Sequence, residues 1–149
     1  QSEGRWGEAI ATHKKAISIT EEKYGEFFVQ LAPLLNNLAH LFFTLKRYDE
    51  SKNLWLRAIR IVEKSYGIDN QNLGPILTNL AALYNQLGDY KVAQELCERA
   101  LKIKEDAFGS NSSQLITTLE NYREALSKQG LEDSVRNVEL RIKGIKLRS

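Results

Sequence analysis

Two histidines, one cysteine and a set of evenly spaced asparagines are the side chains with chemistry to offer in this 149-residue chain. His13 and His40 fall on separate segments, and Cys97 stands alone. A metal centre needs several such ligands at close spacing, and the chain has no such cluster. No phosphate-cradling glycine loop and no nucleophile motif occurs. Enzymatic activity, a metal and a cofactor are therefore not expected. His13 and Cys97 are read as packed or partly exposed side chains, the thiol as buried and inert. A single cysteine cannot form an internal disulfide and fits a reducing setting, so an intracellular, cytoplasmic location is expected. What remains is the amide. Asn37, Asn79 and Asn121 recur 42 residues apart, and a carboxamide both donates and accepts hydrogen bonds.

The elements that must position these amides follow the same spacing. "KYG", "SYG" and "AFG" end at Gly25, Gly67 and Gly109, each 42 residues after the last. Ala16, Ala58 and Ala100 share this register, as do Leu35, Leu77 and Leu119, Pro33 and Pro75, Tyr48 and Tyr90, and Gly88 and Gly130. So many coincidences in one register mark an internal repeat. Each unit reads as two helices. Leu31, Leu35, Leu38, Ala39, Phe42 and Leu45 follow helical spacing over 30–45. "KRYD" then breaks the pattern, and Leu54, Trp55, Ala58, Ile59 and Val62 carry a second helical run that stops at Gly67. No stretch alternates convincingly enough to be a strand. The expected fold is all-α, with about seven antiparallel helices. The segments are 1–25 (the second helix of a truncated repeat), then repeats at 26–67 and 68–109, then a degenerate repeat at 110–149.

Composition sets outer limits. The chain is 42% hydrophobic and 27% charged, with a net charge of +2. No apolar run approaches the roughly 20 residues of a membrane span, so membrane insertion is not expected. The charge is too small to imply nucleic acid, and the chain shows no basic stripe with interleaved stacking residues. It contains no methionine and is expected to be a fragment or a processed product.

The repeat resembles the tetratricopeptide repeat (TPR), whose pattern is a bulky residue, then x2-Leu-small-x2-aromatic, then Ala-x3-bulky-x2-Ala. The second unit matches as Leu77-x2-Leu80-Ala81-x2-Tyr84, then Ala93-x3-Cys97-x2-Ala100. The first matches as Leu35-x2-Leu38-Ala39-x2-Phe42, then Ser51-x3-Trp55-x2-Ala58. The opening helix matches only the second half, through Ala9, His13 and Ala16, which implies repeats further upstream. The usual period is about 34 residues; the longer one here is similar to the kinesin-light-chain variety. The resemblance implies a right-handed α-α superhelix, a TPR solenoid. In the third unit Arg123 replaces the small residue and Glu139 the bulky one. Its last helix carries Leu131, Val135, Val138, Ile142 and Ile145 on one stripe, with Arg136, Asn137, Lys143 and Lys146 opposite. That polarity suits a terminal cap.

In TPR proteins the side of each first helix that faces away from its partner lines a concave groove. The resemblance therefore implies an amide ladder of Asn37, Asn79 and Asn121 that binds a peptide backbone. The same amides could instead bond neighbouring backbone and set the repeat spacing. Around them the implied lining includes His40, Phe43, Thr78, Ala82, Asn85, Gln86, Glu120, Glu124 and Lys128. Asn36 has no repeat counterpart, since Thr78 and Glu120 replace it, and is read as local. Only Lys128 is basic, which fits a neutral or mildly basic ligand with an apolar anchor near Phe43 and Ala82. The implied function is a non-catalytic protein-interaction scaffold with a protein or peptide partner. A structural, self-associating array is the alternative, because the opening helix lacks its partner.

Overall fold

The computed structural model describes residues 3–149; residues 1 and 2 of the opening segment lie outside it. Seven helices follow one another: α1 (Glu3–Tyr24), α2 (Leu31–Thr44), α3 (Tyr48–Tyr66), α4 (Leu73–Leu87), α5 (Tyr90–Phe108), α6 (Ile116–Lys128) and α7 (Glu132–Arg148). A 3-10 turn, Ser113–Leu115, leads into α6. No strand occurs among the described residues. The chain falls into two compact units, one ending at Ile68 and the other running from Asp69 to Ser149.

In the first unit α2 and α3 form a helical hairpin, and α1 lies against α2. Leu31, Leu35, Leu38 and Phe42 of α2 are buried, as are Trp55, Ala58, Ile59 and Val62 of α3 and Ile17 of α1. Ala39 and Ala58 are fully buried, since a methyl side chain lets two backbones approach. Ser51 holds the hairpin from within: its hydroxyl donates to the Ala39 carbonyl at 2.7 Å. A buried hydroxyl must find such a partner. Pro33 sits in the first turn of α2, where a missing N–H removes no helical bond.

In the second unit α4 pairs with α5, α6 lies on α5 and α4, and α7 pairs with α6. One cluster joins Leu101 of α5, Leu115, Leu119 and Leu126 around α6, and Val138, Ile142 and Ile145 of α7. The apolar stripe expected on the last helix is thus packed, except that Leu131 precedes α7 and is exposed.

The three inner turns share one geometry. The N–H of Arg47, Asp89 and Leu131 donates to the carbonyl of Phe42, Tyr84 and Leu126, five residues back, at 2.8–3.0 Å. This closure places the preceding residue at positive φ. Gly88 and Gly130 adopt φ 83 and 77, but the first turn has Lys46 at φ 62. Its Cβ is strained where glycine is not.

Candidate binding surfaces

The expected lining residues separate into exposed and structural sets. On α2, Asn37 and His40 are exposed and Phe43 is half-buried. Phe43 belongs to an aromatic group, with ring centroids 5.6 Å from Tyr48, 5.9 Å from Trp55 and 6.5 Å from His40. The amide of Asn37 makes no hydrogen bond to any described residue. It therefore keeps its full donor and acceptor capacity for another molecule.

In the second unit the surroundings differ. Asn121 is half-buried, and its amide nitrogen donates to the Thr78 carbonyl at 3.2 Å. Asn85 is buried and donates to the Asn121 carbonyl at 3.0 Å. These side-chain bonds tie α4 to α6. Asn79 and Ala82 are half-buried, whereas Gln86 is exposed. Thr78 is buried as well, so Thr78 and Asn85 lie under α6 and not on an open lining. The sequence places them on the right helix; the width of α6 decides that they are covered.

Thr78 is part of a polar chain through this interior. Lys104 donates from Nζ to Thr118 Oγ1 at 2.9 Å and to the Gln114 carbonyl at 3.3 Å. The hydroxyls of Thr118 and Thr78 lie 2.7 Å apart, and Thr78 donates to the Gly74 carbonyl at 2.8 Å. Since Thr78 spends its proton on Gly74, Thr118 donates to Thr78, and the chain runs in one direction. Lys104 is itself buried, and no carboxylate pairs with it among the described residues. Burial pushes its ammonium below the ordinary lysine value. Gly74 makes room for it: a Cβ there would stand 3.0 Å from Lys104 Cγ.

Two surface features carry open space. A cavity of about 440 Å³ is lined by Glu120, Asn121, Glu124, Ser127 and Lys128 of α6, with Arg123, Val135 and Glu139 beside them. It brings four of the expected lining residues together. A second cleft, of about 310 Å³, lies in the first unit over Ile17, Leu38 and Phe42, between Lys14 and Arg57. Cys97 is buried, and burial together with the neighbouring Glu98 charge pushes its thiol up to about 12. No group of His, Cys, Asp and Glu among the described residues is placed to hold a metal ion. No helix is long and apolar enough to cross a membrane.

Three structural contacts escaped the reading of the sequence. Asn36 is one: its Oδ1 accepts from the Trp55 indole at 2.7 Å, so it is a link between α2 and α3 and not a local decoration. The others are two matching ion pairs. Arg57 binds Glu21 and the Glu26 carbonyl; 84 residues on, Arg141 binds Glu105 and the Ser110 carbonyl. The signal was present, because glutamate recurs at 21, 63 and 105 and arginine at 57, 99 and 141.

Among the described residues, three helical hairpins and an opening helix, with turns and glycines recurring at one period, describe a repeat protein, and the profile of the tetratricopeptide repeat matches residues 30–106 and 73–137. The chain belongs to the tetratricopeptide repeat family. This TPR chain is similar to solved structures of the same kind. It superposes on BtubC (BKLC) from P. vanneervenii with a TM-score of 0.87 and 23% identity, over 97% of this chain and 58% of that one. It superposes on the TPR-like repeats of a putative kinesin light chain from Podosopora anserina with a TM-score of 0.76 and 16% identity, over 97% and 69% of the two chains. A point-substituted form of the latter gives 0.78 and 17%, over 98% and 70%. No curated protein matches the chain. The TPR fold is generally a protein–protein interaction scaffold, without catalysis.

Proposed function

We propose that this TPR chain is a non-catalytic interaction module that holds a peptide or partner segment against the exposed side of its first helices. The observation that carries this reading is the free amide of Asn37 beside exposed His40 and the half-buried ring of Phe43. An unpaired amide next to an aromatic surface offers backbone pairing and an apolar anchor together. The cavity at Glu120, Asn121, Glu124 and Lys128 supports a second point of contact. There the carboxylates favour a neutral or mildly basic ligand. An intracellular setting belongs to the same proposal. The test is panning of a peptide library, followed by calorimetry of the selected peptide with the Asn37→Ala/Asn79→Ala double variant. A tenfold or greater loss of affinity is expected. Equal affinity in a folded double variant overturns the groove reading.

Self-association is the second reading. Ala9, His13 and Ala16 of α1 hold the register positions of Ser51, Trp55 and Ala58, which are buried in α3, yet they are only half-buried. Trp6 and Ile19 on the same helix are exposed. Sedimentation over a concentration series decides: a strict monomer excludes this reading.

A further inference from the structure

Two clefts of the chain are built from the same register positions and differ in what fills them. The first-unit cleft, of about 310 Å³, is floored by Leu35, Leu38 and Phe42 of α2 and walled by α3 and α1. A cleft of about 240 Å³ in the second unit lies over α6 beside α7. Each of the seven residues that line the second stands 84 positions after one that lines the first, as Leu119 does after Leu35 and Arg141 after Arg57. Lys14 and Ile17 of α1 also line the first cleft, but their α5 counterparts, Glu98 and Leu101, do not line the second. There Tyr122 packs on the cluster that holds Leu101, and its hydroxyl donates to Glu98 at 3.0 Å. At the position of Tyr122 the first unit has Leu38. The space that a tyrosine fills in one unit is open in the other.

The polar end of that space changes as well. Lys14 stands where Glu98 does, 5.8 Å from the centroid of the Phe42 ring. No carboxylate among the described residues is within ion-pairing distance of it: Arg47 takes Glu50 at 2.6 Å, and Arg57 takes Glu21. An ammonium only donates, whereas a phenol oxygen accepts as well as donates. The bond from Tyr122 to Glu98 is thus open to an incoming tyrosine with donor and acceptor exchanged. Glu50 on the cleft wall favours a neutral headgroup over an anionic one, because its bond to Arg47 holds the carboxyl below the ordinary range and charged.

A helix preceding α1 in a longer chain would take another place. The helix that precedes α5 is α4, and it meets α6 at Thr118, whose hydroxyl lies 2.7 Å from that of Thr78. The α2 counterpart of Thr118 is Leu34, which does not line the cleft.

We infer that this α1–α3 cleft receives a tyrosine side chain of a partner protein, with its ring over Leu38 and Phe42 and its phenol oxygen accepting from Lys14. The ring follows from Tyr122 in the matching place. The volume is at the small end of ligand sites, which begin at about 300 Å³. It takes one side chain, not the face of roughly 800 Å² on which two copies of a chain form a stable pair, so the tyrosine is a partner's. Asn37 does not line the cleft, and the site is separate from its face.

The test is a nuclear magnetic resonance titration of the full 149-residue chain with acetyl-Gly-Tyr-Gly-amide and with its phenylalanine and alanine counterparts. The tyrosine peptide is expected to shift the amides of Ile17, Leu38 and Phe42. It is expected to bind about threefold or more tightly than the phenylalanine peptide, and the alanine peptide more weakly than either. Lys14→Met, at an exposed position, is expected to remove the preference for tyrosine over phenylalanine, and Asn37→Ala to leave it unchanged. Leu38→Tyr combined with Lys14→Glu copies the second unit and is expected to abolish binding, with a urea melt to check the fold. No binding, equal binding of the tyrosine and alanine peptides, a tyrosine preference that survives Lys14→Met, or one lost with Asn37→Ala overturns the proposal. Undiminished binding to the folded Leu38→Tyr/Lys14→Glu chain does so too. A dimer in sedimentation that these two substitutions dissociate gives the cleft to a second copy and overturns the assignment to a partner.

Discussion

The indole N–H of Trp55 on α3 donates to Oδ1 of Asn36 on α2 at 2.7 Å, and this bond links the two helices of the first hairpin. Trp55 is only 1% exposed, so its N–H has no access to water. One repeat on, Cys97 takes the place of Trp55 and Thr78 that of Asn36. Where the indole is absent, the amide acceptor is absent too.

Asn36→Ala is therefore expected to destabilise the protein by about 1–3 kcal/mol, the cost of an unsatisfied buried donor. Asn37→Ala next to it is expected to change stability by less than about 0.5 kcal/mol. Urea melts of the two variants make the comparison. In a Trp55→Phe background, which has no indole donor, the Asn36 effect is expected to shrink; an undiminished effect would show that the bond is not its cause.

Lys46 holds the positive-φ position that glycine occupies at Gly88 and Gly130. Lys46→Gly is expected to raise stability by about 0.5–1 kcal/mol, because relief of strain exceeds the added freedom of the unfolded chain. A lowered urea midpoint would contradict this.

Burial lowers the pKa of Lys104 from the ordinary 10.5. Between its folded and unfolded values the unfolded chain binds more protons, so this group's contribution to stability rises with pH up to about 10.5. Replacing it with methionine removes a buried, unpaired charge, and Lys104→Met is expected to gain about 1 kcal/mol at pH 7. That gain should fade as pH approaches 10.5. Melts at pH 7, 9 and 10.5 test the slope; a gain independent of pH would exclude the charge as its source.

Cys97 and Tyr122 act in the opposite direction. Burial is the main cause that raises both to about 12, from ordinary values of 9.0 and 10.0. The folded chain keeps these protons longer, so stability falls as pH climbs from 9 toward 12. A neutral thiol is also a poor nucleophile. Native protein at pH 8 is expected to react with a disulfide reagent far more slowly than urea-unfolded protein, by at least a hundredfold. Rapid labelling of the folded chain would show that Cys97 is accessible.

The hairpins, their turns and most buried apolar positions were legible because they depend on local spacing. Leu35, Leu38 and Phe42 fall on one face by rotation alone, and Gly88 and Gly130 announce their turns. The first turn was placed by the break at "KRYD", but Lys46 gave no sign of the positive φ that the closing hydrogen bond imposes on it. The polar side chains were less legible. Thr78, Asn85 and Asn121 all read as groove lining in the sequence, yet α6 covers the first two, and the amide nitrogen of the third, on α6 itself, is taken up by the Thr78 carbonyl of α4.

Taken alone, the sequence determined the repeat and its period, the helices, and the family to which they belong, because each follows from residue spacing within about 40 positions. Tertiary structure decided which amides remain available. A carboxamide is equally suited to the protein's own backbone and to a ligand's, and only the packing of a neighbouring helix allots it. Asn36 and Asn121 are committed to that packing, and Asn37 is left to the solvent side.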